Sequence, residues 1–533
     1  MAGPAGKRGG YLPFVDGLRA LAILAVVGYH AFPYAVPGGF VGVDVFFVIS
    51  GFLITSVIAR EMQDGHFSFA QFFTRRARRL LPAATVCLLV VSAAGAVVLL
   101  PDALLYYGRS LLASTLMYAN IFFYRTGGYF SAPSLEKPLL HTWSLAVEDQ
   151  FYLTWPLLLL VLSARLPRKV LLGVVAAIAL ASLAYAQVKL AKDPEFAFFM
   201  LPTRAWELLL GALLALITLN GTRTMPQWVA EGLGVAGLAA VATSVVLLTP
   251  ESDFPGLAAA PACLGTAAII ASGLMAPTLV TRLLALPAVV FIGLVSYSFY
   301  LWHWPIIALS SYRFERALTA MEAGVAVAIA FIVAVLSWRY VERPFRAGSP
   351  SGGWRMTSDR LFVASALAGV LVVAGVAGAI KIRKGFPERY TNDVRLVLDQ
   401  LVSSNPIRGS CDNYDKVFAN DGICNFGRRK AQGESYELAL FGDSMSDQWT
   451  PMAAELADEH QLAGRQVTNG GCALLVGAPV PATPQSKARE CANYVEQARK
   501  FVAANPRLKV VIISGFWEKW LSRLEGQPTA TGL

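Results

Sequence analysis

Twelve apolar runs, the first at residues 17–33 and the last at 361–380, constrain this chain more than any other feature of it. About 20 apolar residues cross the hydrocarbon core of a bilayer as a helix. Within that core every backbone N–H and C=O must be satisfied inside the segment. Roughly the first 380 residues therefore read as a polytopic α-helical membrane domain. Only 15% of the residues are charged, against about 25% in soluble domains. Beyond residue 385 the long apolar runs stop and ordinary charge density returns, which marks the main boundary. The net charge of +10 does not require a nucleic-acid partner, because cytoplasmic loops of membrane proteins are rich in Arg and Lys. Arg19 interrupts the first run and no small-residue cleavage site follows it, so the N-terminus is not read as a cleavable signal.

Loop charge sets the expected orientation. The 59–79 loop carries Arg60, Arg75, Arg76, Arg78 and Arg79; residues 165–169 and 341–360 are also basic, whereas 250–256 holds Glu251 and Asp253 and no cation. One orientation accommodates these loops only if the run at 104–123 does not cross. That run is also the most polar, with Tyr106, Tyr107, Arg109, Ser110, Ser114 and Asn120. Eleven spans remain, with the N-terminus inside and everything after residue 380 outside. Cys411, Cys424, Cys472 and Cys491 then fall in an oxidising compartment. Four cysteines allow three pairings, and nearness in sequence favours Cys411–Cys424 and Cys472–Cys491. Cys87 and Cys263 sit in apolar runs as small core residues. No CxxC or Cys/His cluster suggests a metal site.

Ionisable groups inside a membrane are costly and mark functional sites. Arg19 and His30 are eleven residues apart in the first run, about three turns and about 16 Å along one helix face. The bland alternatives are an arginine that snorkels to lipid phosphates and a histidine with one satisfying hydrogen bond. Asp44 enters the second run at similar depth, and a carboxylate beside an imidazole fixes its tautomer and raises its basicity. The rival reading is a structural polar pair. Arg75, Arg76, Arg78 and Arg79 precede the third run, where guanidinium forks suit phosphates; a plain lipid-headgroup anchor has the same signature.

The segments YLPFVDGLRALAILAVVGYHAF, GGFVGVDVFFVISGFLIT, FFTRRARRLLPA, HTWSLAVEDQFYL, RAWELLLGALLA, VSYSFYLWHWP and YVERPFR resemble, in order, the acyltransferase-3 family of membrane acyltransferases over about residues 10–346. The resemblance implies a ten-helix domain that moves an acyl group, usually acetyl from cytoplasmic acetyl-CoA, to a glycan hydroxyl outside. It implies a catalytic role for His30 and donor-site roles for Arg19 and the Arg-x-x-Arg cluster at 75–79. Glu148, Tyr300 and His303 fall in matching motifs. Tyr300 and His303 are expected on the acceptor side, which Glu148, like His303 in the outer half of its run, is also expected to line. Trp304 reads as an interfacial belt residue.

Outside the membrane, 385–430 reads as an irregular linker. The segment YELALFGDSMSDQW then reads as buried strand, tight turn and helix, with Ser444 near the helix N-terminus, where backbone N–H groups can stabilise an oxyanion. Further strand and helix signals through LKVVIISGF argue for a parallel α/β sheet. FGDS resembles the first block of SGNH hydrolases, with Ser444 as nucleophile and Gly470 or Gly471 as the second block. Met445 replaces the histidine usual in fused members, and no Asp-x-x-His follows, so the domain is expected to be truncated.

The expected organisation is an acyltransferase domain (1–346), a cytoplasmic loop and linking helix (347–384), a linker (385–430) and an incomplete SGNH-like domain (431–533). The expected function is acyl transfer from acyl-CoA to a surface polysaccharide such as lipopolysaccharide O-antigen or exopolysaccharide, at a bacterial inner membrane, with membrane lipid around it. His30, Asp44, Glu148 and Ser444 are the candidate catalytic residues. The rivals are a solute transporter lined by the buried charges, and an outer-domain deacetylase.

Overall fold

The computed structural model describes residues 11–127, 137–221, 226–345, 359–392, 394–395, 411, 424–431, 433–470, 472 and 485–515. It divides into two units, 1–389 and 390–533.

In the first unit, eleven helical segments of the described chain are long and apolar enough to cross a membrane. They are built from α1 (Pro13–Ala31), α2 (Gly42–Gln63), α3 (Phe69–Val98), α6 (Thr142–Arg165), α7 (Arg168–Leu190), α9 (Leu201–Thr218), α10 (Gln227–Leu247), α11 (Ala260–Met275), α13 (Pro287–Phe314), α14 (Ala320–Ser337) and α16 (Asp359–Ile382). Shorter helices join them: α4 (Pro101–Thr115), α5 (Ala119–Arg125), α8 (Pro194–Phe199), α12 (Leu279–Leu284) and α15 (Arg343–Phe345). The polar run at 104–123 is broken. Met117, between α4 and α5, takes a positive φ of 60°, and α4 has 15 residues, about 22 Å, short of the ~30 Å core.

Two close helix crossings set the geometry of the polar interior. A Cβ on Gly293 of α13 would stand 1.8 Å from the Asp16 carbonyl of α1. Only glycine permits that approach; further along the same two helices His30 meets His303. A Cβ on Gly51 would likewise stand 1.8 Å from the Leu208 carbonyl, and one on Gly211 2.0 Å from the Val48 carbonyl. This reciprocal contact locks α2 against α9 and sets Asp44 opposite Arg204.

The linking helix α16 packs on α3 and α4. At one end Arg78 pairs with Asp359 at 2.8 Å and lies over the Phe362 ring. At the other, the Arg389 guanidinium meets the Ala96 and Leu99 carbonyls.

The second unit holds a four-stranded mixed sheet: β1 (Asn425–Gly427), β2 (Leu438–Gly442), β3 (Ala463–Thr468) and β4 (Val510–Ser514), in the order β1-β3-β2-β4. β2 runs parallel to β3 and β4, from Leu438 opposite Gly464 and Val510. β1 is antiparallel to β3. The stretch read as an irregular linker thus contributes an edge strand, because β1 closes the open side of β3. α17 (Ser444–Asp447), α18 (Thr450–Glu459) and α19 (Gln485–Ala504) complete the unit. Cys411 is bonded to Cys424 and Cys472 to Cys491, with Cα–Cα distances of 5.6 and 5.2 Å.

Candidate active site

The polar interior of the membrane domain holds three groups. The first is a cavity lined by Arg19, Ser50, Arg76, Arg79, Glu148, Asp149, Tyr152, Ser144 and Tyr300, with Val370 and Val373 of α16 on one wall. Arg19 donates to Asp16 at 3.0 Å, whose other oxygen accepts from the Tyr11 hydroxyl. The guanidinium of Arg76 stacks 3.3 Å above the Tyr152 ring and lies 3.3 Å from Asp149 and 3.9 Å from Glu148. Glu148 also accepts from Ser50 at 3.0 Å and from Tyr152 at 3.1 Å. Expected on the acceptor side, Glu148 instead shares the cavity with the arginines, because the second turn of α6 reaches Arg76.

The four arginines of α3 divide. Arg76 and Arg79 line the cavity, while Arg75 pairs with Glu61 at 2.6 Å and Arg78 with Asp359. Of the four expected donor-site arginines, the cavity thus takes in Arg76 and Arg79, and carboxylates engage Arg75 and Arg78.

The second group is a cluster of imidazoles beyond the cavity. His30 Nδ1 lies 2.9 Å from His303 Nε2. His303 Nδ1 lies 2.7 Å from the Tyr300 carbonyl and 3.2 Å from that of Phe299. The His141 ring stands 5.8 Å from that of His303, centroid to centroid. Trp304 lies 4.5 Å from the His30 ring, and its Nε1 donates to the Lys137 carbonyl at 2.9 Å. Trp304 is therefore buried in the site and is not a belt residue.

Tyr300 joins cavity and cluster. Its hydroxyl lies 2.7 Å from that of Ser144 and donates to the His141 carbonyl at 2.9 Å, while its own carbonyl faces His303. A proline inside α13 shapes this turn. Pro305 has no N–H for the Leu301 carbonyl, which accepts from the Cys87 thiol at 3.4 Å instead.

The third group corrects the expected His30–Asp44 pair. Asp44 lies 3.1 Å from Arg204, and Glu207 lies 3.2 Å from another nitrogen of the same guanidinium, all with at most 1% side-chain exposure. In the first turn of α2, Gly42 packs on the Ala22 carbonyl of α1 while Asp44 faces α9. Cys263 also reaches this group: its sulfur and the two carboxylates lie within 4.8 Å of one another. The single guanidinium pairs with both carboxylates. The signal for this site was present in the sequence, in an arginine and a glutamate inside the apolar run RAWELLLGALLA.

In the second unit, β2 ends at Gly442 with φ 143°, where a Cβ would stand 1.8 Å from the Ser514 carbonyl and 2.6 Å from Ser446 Cβ. Only glycine fits there. Asp443 then caps the next turn, accepting from Met445 N at 2.8 Å, and Ser444 opens α17. The Ser444 side chain and Gly471 lie outside the described residues. Gly470 follows β3, next to Asn469, whose amide donates to Glu490 at 3.1 Å and whose N–H donates to the Gly442 carbonyl at 2.9 Å.

Eleven apolar helical segments around a buried polar interior define a multi-span membrane protein. The chain belongs to the acyltransferase-3 family: the family model, an acyltransferase domain, matches residues 12–339. A second model, an SGNH domain fused to such acyltransferase domains, matches residues 410–532. Among similar proteins, the peptidoglycan O-acetyltransferase OatA of Listeria monocytogenes is 33% identical over 349 residues, 63% of this chain and 56% of the relative. A putative O-acetyltransferase of Staphylococcus aureus is 31% identical over 403 residues, 73% of this chain and 65% of the relative. The putative peptidoglycan O-acetyltransferase YrhL of Bacillus subtilis is 33% identical over 371 residues, 66% and 57%. The matches thus span less than two thirds of each relative's own length. No solved structure matches.

Proposed function

We propose that this protein transfers an acetyl group from acetyl-CoA on the cytoplasmic side to a hydroxyl of a cell-surface polysaccharide. The observation that carries the reading is the position of Tyr300. Its side chain closes the cavity lined by Arg19, Arg76 and Arg79, and its backbone carbonyl anchors the His30–His303 pair. The guanidinium groups suit the phosphates of CoA, whose long arm would place the thioester near Tyr300.

His30 acts as the general base. It takes the proton of the acceptor hydroxyl, whose oxygen attacks the acyl carbon. The C–S bond then breaks, and the thiolate recovers that proton as CoA thiol. Ser444 of the outer domain is proposed as an acyl carrier: its hydroxyl would receive the group and release it to the glycan, regaining its proton. The two relatives named peptidoglycan O-acetyltransferases support peptidoglycan as the acceptor over lipopolysaccharide.

The test uses the purified full chain in nanodiscs with acetyl-CoA and soluble peptidoglycan fragments. CoA thiol release and glycan-bound acetate are the readouts. His30→Ala is expected to abolish both without loss of expression. Undiminished transfer in that variant would refute the assignment of the base, and no acetate on any glycan in the presence of active donor hydrolysis would refute transfer.

A further inference from the structure

We infer that His303 is a positioning residue that fixes the tautomer of His30 and thereby makes Nε2 of His30 the nitrogen that takes the proton. The inference rests on the proposed role of His30 as general base and adds which atom works and what holds it.

With both imidazoles neutral, one placement of the ring hydrogens satisfies their contacts. A backbone carbonyl can only accept, so His303 Nδ1, at 2.7 Å from the Tyr300 oxygen and 3.2 Å from the Phe299 oxygen, must carry a hydrogen. His303 has no surface exposed to solvent and is taken as neutral, so its Nε2 bears a lone pair. His30 Nδ1 is 2.9 Å from that lone pair and must be the donor. Neutral His30 is thus protonated on Nδ1, and its Nε2 is the basic nitrogen. When Nε2 takes the hydroxyl proton, the Nδ1–H···Nε2 bond becomes charge-assisted and stronger. The ring centroids are 5.2 Å apart, which the 2.9 Å N···N contact spans only if it lies along the line of ring centres, so the acceptor lies close to the plane of the donor ring. This is the part a carboxylate plays in a Ser-His-Asp triad. Here a second imidazole plays it, held from behind by the backbone of its own helix. The sequence reading gave that part to Asp44, which is engaged by Arg204 instead.

The test separates reach from bulk. In His303→Gln the side-chain amide extends to the place of Nε2, and its oxygen can accept from His30 Nδ1. In His303→Asn the shorter amide ends near the place of Nδ1 and no longer reaches His30 Nδ1. With full-length protein in nanodiscs, acetyl-CoA and glycan fragments, His303→Asn and His303→Leu are expected to lose about 100-fold or more in kcat. Their KM for acetyl-CoA should change less than about threefold, because the donor cavity is intact. His303→Gln should recover to within about tenfold of the parent kcat. Equal activities of the Gln and Asn variants, at equal thermal stability, would overturn the inference, as would a parent-like kcat in His303→Leu. His30→Ala, run in parallel, keeps the two readings apart. If it retains activity, the base assignment itself falls; if it is inactive while His303→Leu is not, only the role of His303 falls.

Discussion

Asp44 of α2 and Arg204 of α9 meet at 3.1 Å with at most 1% of either side chain exposed, and Glu207 shares the same guanidinium from one turn further along α9. Removing one partner of a buried ion pair leaves an uncompensated charge, at a typical cost of about 3–5 kcal/mol. Arg204→Leu strands two carboxylates and is expected to lower stability by about that amount, read as thermal unfolding of the detergent-purified protein. Asp44→Asn should cost less and leave acetyl transfer near the parent rate, since Asp44 bonds Arg204 and not His30. A folded Asp44→Asn protein of unchanged stability but without activity would restore the catalytic role to Asp44.

The division of the α3 arginines gives a second expectation. Arg76 and Arg79 line the cavity, whereas Arg75 and Arg78 are held by Glu61 and Asp359. A hydrogen bond to a charged group contributes about 1.5–3 kcal/mol, which is about 10- to 150-fold in binding. Arg79→Ala is expected to raise the KM for acetyl-CoA within that range. Arg75→Ala, which removes only an exposed pair, should change it by less than twofold. Equal effects at both positions would mean that the cluster acts as a diffuse positive surface.

What the sequence made legible follows from periodicity. The spans could be read because each is a continuous apolar run, and Arg19 and His30 could be aligned because eleven residues return to one helix face. Pairings between helices could not, because rotation about the axis depends on which glycines permit close approach. Gly51 and Gly211 lock α2 against α9, where Asp44 meets Arg204, and Gly293 lets α13 approach α1, the helix that carries His30. His141 and Trp304 were missed as site residues for a related reason. A histidine at the start of α6 and a tryptophan near a span end carry the signature of a boundary, and only the packed structure shows them turned inward. In the outer domain the FGDS turn was legible from its residue types. The edge strand at Asn425–Gly427 was not, since three residues make no periodic pattern.

Acid lability of the outer domain is the third expectation. Arg428 bonds Glu434 at 2.7 Å and Glu437 at 3.1 Å, and Lys509 donates to Glu437 at 2.7 Å. Hydrogen bonds to Arg428 hold the Glu434 carboxyl down at about 2, and those to Lys509 and then Arg428 do the same for Glu437. Both values lie below the ordinary 4.5, so the folded state binds fewer protons than the unfolded one. The associated stability is present above about pH 4.5 and is lost as pH falls from there toward 2. Protease resistance of the outer domain in the full chain should decline across that window. In the Glu434→Gln, Glu437→Gln double variant, the decline should be shallower. An identical acid profile in that variant would place the sensitivity elsewhere.

The fourth expectation concerns topology. α4 starts at Pro101, and α5 ends at Arg125. The Tyr106 hydroxyl, in the second turn of α4, lies 2.9 Å from that of Thr126, just after α5. The Tyr106 and Phe122 rings lie 5.5 Å apart. A residue near the beginning of the segment and one past its end are therefore at one level, which a single crossing helix cannot achieve. The turn between them centres on Met117 at φ 60°, and Gln150 of α6 donates to its carbonyl at 3.1 Å and to Asn120 at 2.9 Å. These bonds satisfy polar groups that a bend within the membrane would otherwise leave exposed to lipid. In right-side-out vesicles of otherwise thiol-blocked protein, single cysteines at Leu100 and Gly127 are expected to react with the same membrane-impermeant maleimide from the same side. One at Arg60, in the basic loop assigned to the cytoplasm, should react only after permeabilisation. Labelling of Leu100 and Gly127 from opposite sides would make α4 and α5 a true span and reverse the orientation of everything that follows.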